Sequence, residues 1–230
     1  MISLWAVHDT FQYNPPTEPF LVIVYEDRDI IIVNKPSGIL SVPGRVHHDS
    51  ILTRLKERYP QVYDVHRLDM DTSGVMIFAK RRKSERALKA SFRERLIKKR
   101  YIALLSNSPL EKEAFIDKPL LRIGGLPPIS RVDPQGKSAQ TSYRVIREEK
   151  LGTLVELIPH TGRSHQLRVH MLSIGCPIVG DRVYNQGSSN KRLMLHAKEI
   201  SFPHPYSQEE KYFSIDPPFC IDVDRKPKRT

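Results

Sequence analysis

Residues 65–74, Val-His-Arg-Leu-Asp-Met-Asp-Thr-Ser-Gly, bring an imidazole, a guanidinium and two carboxylates together just ahead of the apolar run 75–79. Asp69 and Asp71, two apart, could hold Mg²⁺ as in a nuclease or a glycosyl transferase. Arg67 weighs against that reading, because a fixed cation beside the pair competes with the ion. Asp71-Thr72-Ser73-Gly74 also has turn chemistry, in which an aspartate side chain accepts from the backbone two residues on. That gives Asp71 structural work and leaves Asp69 as the carboxylate without any.

Other chemistries find little support. His160, His165 and His170 invite a metal site, but His165 and His170 are five apart, about 140° around a helix, whereas two helical ligands to one zinc want i, i+4. No GxxxxGK[ST], GxGxxG or GxSxG is present, so no phosphate cradle, dinucleotide fold or nucleophile elbow is marked. No metal and no cofactor is expected. The reaction must come from ordinary side chains.

The elements that position these residues can be read from periodicity and turn signals. Strands are expected over 21–25 and 29–34, ended by Lys35-Pro36-Ser37-Gly38. Ser50 caps a short helix that Pro60 stops. The alternation in 62–68 predicts a strand with Val65, Arg67 and Asp69 on one side, and 74–80 reads as a strand buried on both faces. Leu88, Phe92 and Leu96 at i, i+4 and i+8 predict an amphipathic helix over 82–96. Strands follow at 99–106, 113–121, 140–149, 153–159, 192–202 and 211–218. The Pro- and Gly-rich segment 123–136 reads as a loop inserted between two of them. A turn at Thr161-Gly162 leads into a helix closed by Gly175. Many strands and few helices predict an α+β domain around a large, mostly antiparallel mixed sheet. The organisation expected is an N-terminal arm over 1–20, one catalytic domain over 21–216 and a basic tail over 217–230.

Charge narrows the partner. The 230 residues carry 37 Lys and Arg against 26 Asp and Glu, a formal +11. Residues 81–100 hold ten of the basic and two of the acidic residues, so eight of the eleven net charges fall within twenty positions. Such a face suits RNA or phosphate, with a merely solvated helix as the alternative; a membrane-surface helix fits less well, since the apolar stripe is narrow and lacks Trp. No run approaches the roughly 20 apolar residues of a membrane span, and the first residues lack signal-peptide character. Cys176 and Cys220 have no CxxC spacing and read as reduced thiols of a cytoplasmic protein.

The motif HRLDMDTSG resembles the HRLDxxTSG signature of the RluA-type pseudouridine synthases, and VNKPSGILSVPG, KKRYIALL, HTGRSHQLRVHM, GCPIVGDRVY and RLMLHAKEISFPHP resemble that family's further motifs, in its order, over about 20–216. The chain is most similar to the short RluA subgroup, without an S4-like RNA-binding module, whose members act on the anticodon stem-loop of tRNA and on a loop of 23S rRNA. The resemblance implies an isomerase that detaches uracil N1 from ribose C1′ and rejoins the base through C5, with structured RNA as partner and no cofactor; a monomer is the default. It implies Asp69 as the nucleophile, Arg163 as the cation paired with it, Tyr101 against the target base, where it could help remove the C5 proton, and Leu195 in the wall of the uracil pocket. It implies Arg67 as the side chain that fills the stack when the uridine flips out. His66 is expected to be structural. Lys98, Lys99 and Arg100, beside the basic helix, become candidate phosphate contacts. The alternatives are the metal-dependent nuclease or transferase using Asp69 and Asp71, and a non-catalytic RNA-binding module.

Overall fold

Apolar runs too short for a buried helix become the centre of one sheet. The computed structural model describes residues 13–124, 129–188, 190 and 192–219; most of the expected arm, all but the start of the tail, and Cys220 lie outside them. In chain order the elements are β1 (Ile23–Glu26), β2 (Ile30–Lys35), α1 (Ile51–Arg58), β3 (Tyr63–Asp64), β4 (Ser73–Ala79), α2 (Arg82–Arg93), β5 (Lys98–Leu105), β6 (Glu113–Asp117), β7 (Leu120–Ile123), β8 (Ile129–Val132), β9 (Gln140–Glu149), β10 (Gly152–Pro159), α3 (Gln166–Leu172), β11 (Leu195–Pro203) and β12 (Glu210–Ser214).

Ten strands form the sheet, along the path β1-β2-β4-β11-β5-β10-β9-β6, with β3 added on β4 and β12 on β11. Every pairing is antiparallel except β4 with β11, where Ser73 and Gly74 lie beside His196 and Ala197. The mixed, mostly antiparallel α+β architecture is therefore the expected one. The parallel seam divides the core in two. One cluster lies around β2, β4, α1 and α2, the other around β5, β10, α3 and the start of β11. Tyr101 packs against both. All seven residues of β4 are buried, and each large aliphatic side chain fully buried there contributes about 1.5–3 kcal/mol.

Gly74 is obligatory at the seam. Its φ is +118°, and a Cβ on it would stand 2.2 Å from the carbonyl oxygen of Ala197, so only glycine lets β4 run this close to β11. Helix α1 starts as predicted: Ser50 Oγ accepts from Thr53 N at 3.1 Å while Thr53 Oγ1 accepts from Ser50 N at 2.7 Å, a reciprocal cap.

Three local expectations need correction. The strand foreseen before Asp69 shrinks to Tyr63 and Asp64, because the following backbone is claimed by side chains of the 35–41 segment rather than by a neighbouring strand. The basic helix ends at Arg93, since Arg95 turns left-handed with φ +60°; Leu96 is left half exposed and Ile97 goes into the core instead. The segment 123–136 is not all loop: its residues 129–132 form β8, which pairs with β7 in a separate two-stranded ribbon.

Candidate active site

The loop between β3 and β4 carries Asp69, and the segment after β2 holds that loop from beneath. Ser41 Oγ donates to Leu68 O at 2.7 Å and accepts from Leu68 N at 3.0 Å. Ser37 Oγ donates to Asp71 O at 2.7 Å, and Gly38 N to Met70 O at 3.0 Å. Lys35, fully buried, donates from Nζ to the carbonyls of Pro36, Met70 and Thr72 at 2.9, 2.7 and 2.8 Å. Burial pulls its pKa down to about 7, against the pull of the Asp71 and Asp69 charges. Leu68 is buried and the two residues after it are only partly exposed, so the Asp69 carboxylate is partly sheltered from solvent.

The cation against that carboxylate is Arg168, not Arg163. Arg168 Nη1 donates to Asp69 Oδ2 at 3.1 Å, while its Nε and Nη2 grip Asp181 at 2.7 and 2.8 Å. Arg163 lies before α3, is exposed, and gives its Nε to Ser138 O at 2.9 Å. Both arginines sit in HTGRSHQLRVH; the phase of α3 is what turns the later one inward. Asp181 is 1% exposed. Burial alone would raise its pKa, but Arg168 and the N–H groups of Tyr184 and Val183 hold it below the usual carboxylate range. The Arg168 guanidinium is in turn pushed up, against its own burial, by Asp181 and Asp69. Such a fork is a fixed positive charge at the carboxylate. No hydrogen bond from the described residues reaches Asp69 Oδ1.

His165 also faces this carboxylate, its Nε2 3.8 Å from Asp69 Oδ2. Asp71 does not cap its own turn as foreseen. No hydrogen bond among the described residues joins its carboxylate to the Ser73 amide; the turn instead carries a backbone bond, Thr72 N to Asp69 O at 3.1 Å, and the Asp71 carboxylate accepts from Arg182 Nη2, at 3.1 Å to each oxygen. The two aspartates thus face different arginines rather than one shared ion position, which disfavours the paired-carboxylate metal reading.

Tyr101 stands on β5 with Ala197 and Leu157 as its strand neighbours. Burial, with the Asp69 charge behind it, drives its phenol pKa far up, so the two side chains share one electrostatic environment. Leu195 is buried on β11 opposite Ala103, in the same cluster that Tyr101 packs against. Arg67 is exposed and has no hydrogen bond or ion pair among the described residues. His66, beside it, accepts from Ile77 N at 3.0 Å through Nε2 and stacks on Phe92 of α2 at 4.8 Å; burial lowers its pKa to about 3, as befits a neutral structural imidazole. Lys99 is half buried, and burial lowers its pKa. Arg100 is spent on protein carboxylates, Glu156 at 3.2 Å and Glu199 at 3.4 Å, which leaves it poorly placed to hold a phosphate. Sequence reasoning missed Arg168, Lys35, Asp181 and Tyr184, although all four stand inside motifs already singled out: Lys35 in VNKPSGILSVPG, Arg168 in HTGRSHQLRVHM, Asp181 and Tyr184 in GCPIVGDRVY.

Comparison with known proteins gives the family. A family model described as RNA pseudouridylate synthase matches residues 29–173, a span running from β2 to the end of α3 and containing Asp69, Tyr101 and Arg168. The chain is 48% identical over 224 residues to a protein of Vibrio vulnificus (strain CMCP6) named dual-specificity RNA pseudouridine synthase RluA, covering 93% of this chain and 90% of that protein. It is 50% identical over 200 residues to the protein of the same name from Escherichia coli (strain K12), covering 84% and 91%. Among solved structures, human RNA pseudouridylate synthase domain containing 1 superposes with a TM-score of 0.77 at 29% identity, over 90% of this chain and 87% of that one. With a matched span enclosing the carboxylate, its guanidinium and the neighbouring tyrosine, this chain belongs to the RNA pseudouridylate synthase family.

Proposed function

We propose that the protein isomerises specific uridines in RNA to pseudouridine, with Asp69 as the nucleophile. The observation that carries this is the asymmetry of the Asp69 carboxylate: Arg168 donates to Oδ2, and Oδ1 accepts no hydrogen bond from the described residues. A carboxylate fixed by one oxygen and open at the other is arranged to act on a ribose placed before it. The bond from C1′ to N1 breaks, a bond from C1′ to C5 forms, C5 loses its proton and N1 gains one. Nothing is oxidised, and no donor is consumed.

Other residues fit around that step. The raised pKa of Tyr101 keeps it a phenol near neutral pH, which suits stacking on the uracil better than removing the C5 proton. Leu195 supports the apolar wall beside it. Arg67, exposed and uncommitted next to the catalytic loop, is available to occupy the space a flipped uridine leaves, an exchange that offsets an unstacking cost of a few kcal/mol. The outward cations of α2, among them Lys83 and Arg86, supply phosphate contacts. The substrates proposed are the tRNA anticodon stem-loop and a loop of 23S rRNA, in keeping with relatives named as dual-specificity enzymes. The protein is taken to work as a cytoplasmic monomer.

The test is incubation of the purified protein with unmodified tRNA and 23S rRNA transcripts in EDTA, followed by base-specific mapping of pseudouridine. Site-specific product on both RNAs is expected. Bound RNA left unmodified on both would overturn the reading, and cleavage that needs added Mg²⁺ would favour the metal-dependent alternative.

A further inference from the structure

The isomerisation must pass the proton of uracil C5 to a base, and Tyr101, whose phenol burial keeps protonated, is poorly suited to take it. Another group stands beside the nucleophile. His165 caps α3 with a left-handed backbone, φ +56°. Its partly exposed ring faces the Asp69 carboxylate, with Nε2 3.8 Å from Oδ2. Which ring nitrogen carries the hydrogen decides what that edge can do.

The Tyr184 hydroxyl decides the tautomer. It accepts from Ser130 N at 2.8 Å and donates to Ser130 O at 3.1 Å, a carbonyl that can only accept. Its one hydrogen is then spent. The remaining contact, 2.8 Å to His165 Nδ1, requires the imidazole to be the donor. The neutral ring therefore bears its hydrogen on Nδ1 and a lone pair on Nε2, which no hydrogen bond from the described residues occupies. The Tyr184 ring also steadies the imidazole edge to face, at 5.6 Å, and lies 5.0 Å from Arg168 Cζ. Four charged groups surround His165: Asp69 in the catalytic loop, Arg168 on α3, Asp181 in the turn after it and Arg122 on β7. Burial, aided by the two arginines, pulls its pKa down against the two carboxylates, so the ring is neutral at pH 7.

We propose that His165 is the general base of the isomerisation, its Nε2 lone pair accepting the proton of uracil C5. Once C1′ has joined C5, that carbon holds both the ribose and its hydrogen. The C5–H bond breaks toward Nε2, and its electron pair restores the C5–C6 double bond. The C6–N1 pair passes to N1, which takes a proton from water, and the imidazolium returns its own proton to water. The proton count closes and nothing is oxidised. Tyr184 and the Ser130 backbone, by fixing the tautomer, act as positioning groups. The inference rests on the reading of Asp69 as nucleophile.

Two substitutions remove the base and suit the left-handed backbone. Glycine is unstrained there, and asparagine tolerates it while its amide can still donate to Tyr184. His165→Gly and His165→Asn should both melt close to wild type and bind RNA with nearly its Kd. On an RNA substrate that the wild type converts, their single-turnover rates should fall by about 10²-fold or more, the scale of a lost general base. Deuterium at uridine C5 should slow the variants more than it slows wild type. In His165→Gly, free imidazole should restore part of the rate, and the more basic 4-methylimidazole should restore more. Wild-type rates in both variants would overturn the proposal. So would a fall in which the C5 isotope effect keeps its wild-type value and neither imidazole helps, because the ring would then be structural only. Inactivity of the wild type itself, or full activity of Asp69→Asn, would instead count against the nucleophile assignment beneath it.

Discussion

Arg168 serves two carboxylates with one guanidinium, and lysine cannot reproduce that fork. Arg168→Lys should therefore fold but lose roughly 10²-fold in single-turnover rate, the scale seen when one fixed electrostatic donor is removed. Arg168→Met leaves Asp181 buried without its cation and should destabilise the fold by about 3–5 kcal/mol in thermal or urea melts. Lys35 gives a prediction of opposite character. Its folded pKa of about 7 lies below the roughly 10.4 of an unfolded lysine, so between these values unfolding takes up a proton and stability rises with pH. Melting wild type and Lys35→Met at pH 7 and pH 9.5 should show that rise in wild type and a smaller one in the variant. At this scale the sequence was readable where a motif is contiguous. Asp69 and Arg67 could be picked out from their neighbours alone. Arg168 could not, because HTGRSHQLRVH offers two arginines five residues apart and only the start of α3, at Gln166, decides which one points inward. Tyr184 and Asp181 stand in the motif GCPIVGDRVY, but nothing local assigns them a role, since their partners are reached through the fold.

The elements were legible where one local signal dominated. β4 was readable from its apolar run, and α1 from Ser50 and Pro60. The failures came where tertiary contacts replaced a ladder or a helical turn. Residues 65–72 alternate like a strand, yet Lys35, Ser37 and Ser41 take their backbone carbonyls and amides. Leu96 continues the apolar spacing of α2, but Arg95 has already left the helix. The basic face itself stands on α2 as the charge pattern required: Ser84 ties the helix to Asp29 at 2.7 Å, and Glu85 pairs with Arg82 and Lys89, while Lys83 and Arg86 remain exposed. If these two meet phosphates, Lys83→Ala with Arg86→Ala should weaken RNA binding and lower the slope of log K against log salt by about 1.4–1.8. An unchanged slope would make this a solvated face only.

Across the whole molecule, the two cores meet at the β4–β11 seam, and the site draws one half from each: Asp69 from the loop feeding β4, Arg168 and His165 from the segment around α3. Two neutral histidines near that seam, His66 and His196, contribute to its response to acid. Burial lowers the pKa of His66 to about 3 and of His196 to about 4, whereas unfolded histidines titrate near 6.5. At pH 5 unfolding thus takes up about two protons from these rings, so stability must fall as pH drops through the window from about 6.5 to about 4; a melting series across that range checks it. On the proposed function the seam presents one carboxylate oxygen to one ribose, and that proposal is tested most directly with Asp69→Asn, which keeps shape and removes charge. Single-turnover release of tritium from RNA carrying [5-³H]uridine reports the loss of the C5 hydrogen. The variant is expected to melt and bind RNA close to wild type yet release no tritium above background; release at a rate near that of wild type would contradict Asp69 as the nucleophile.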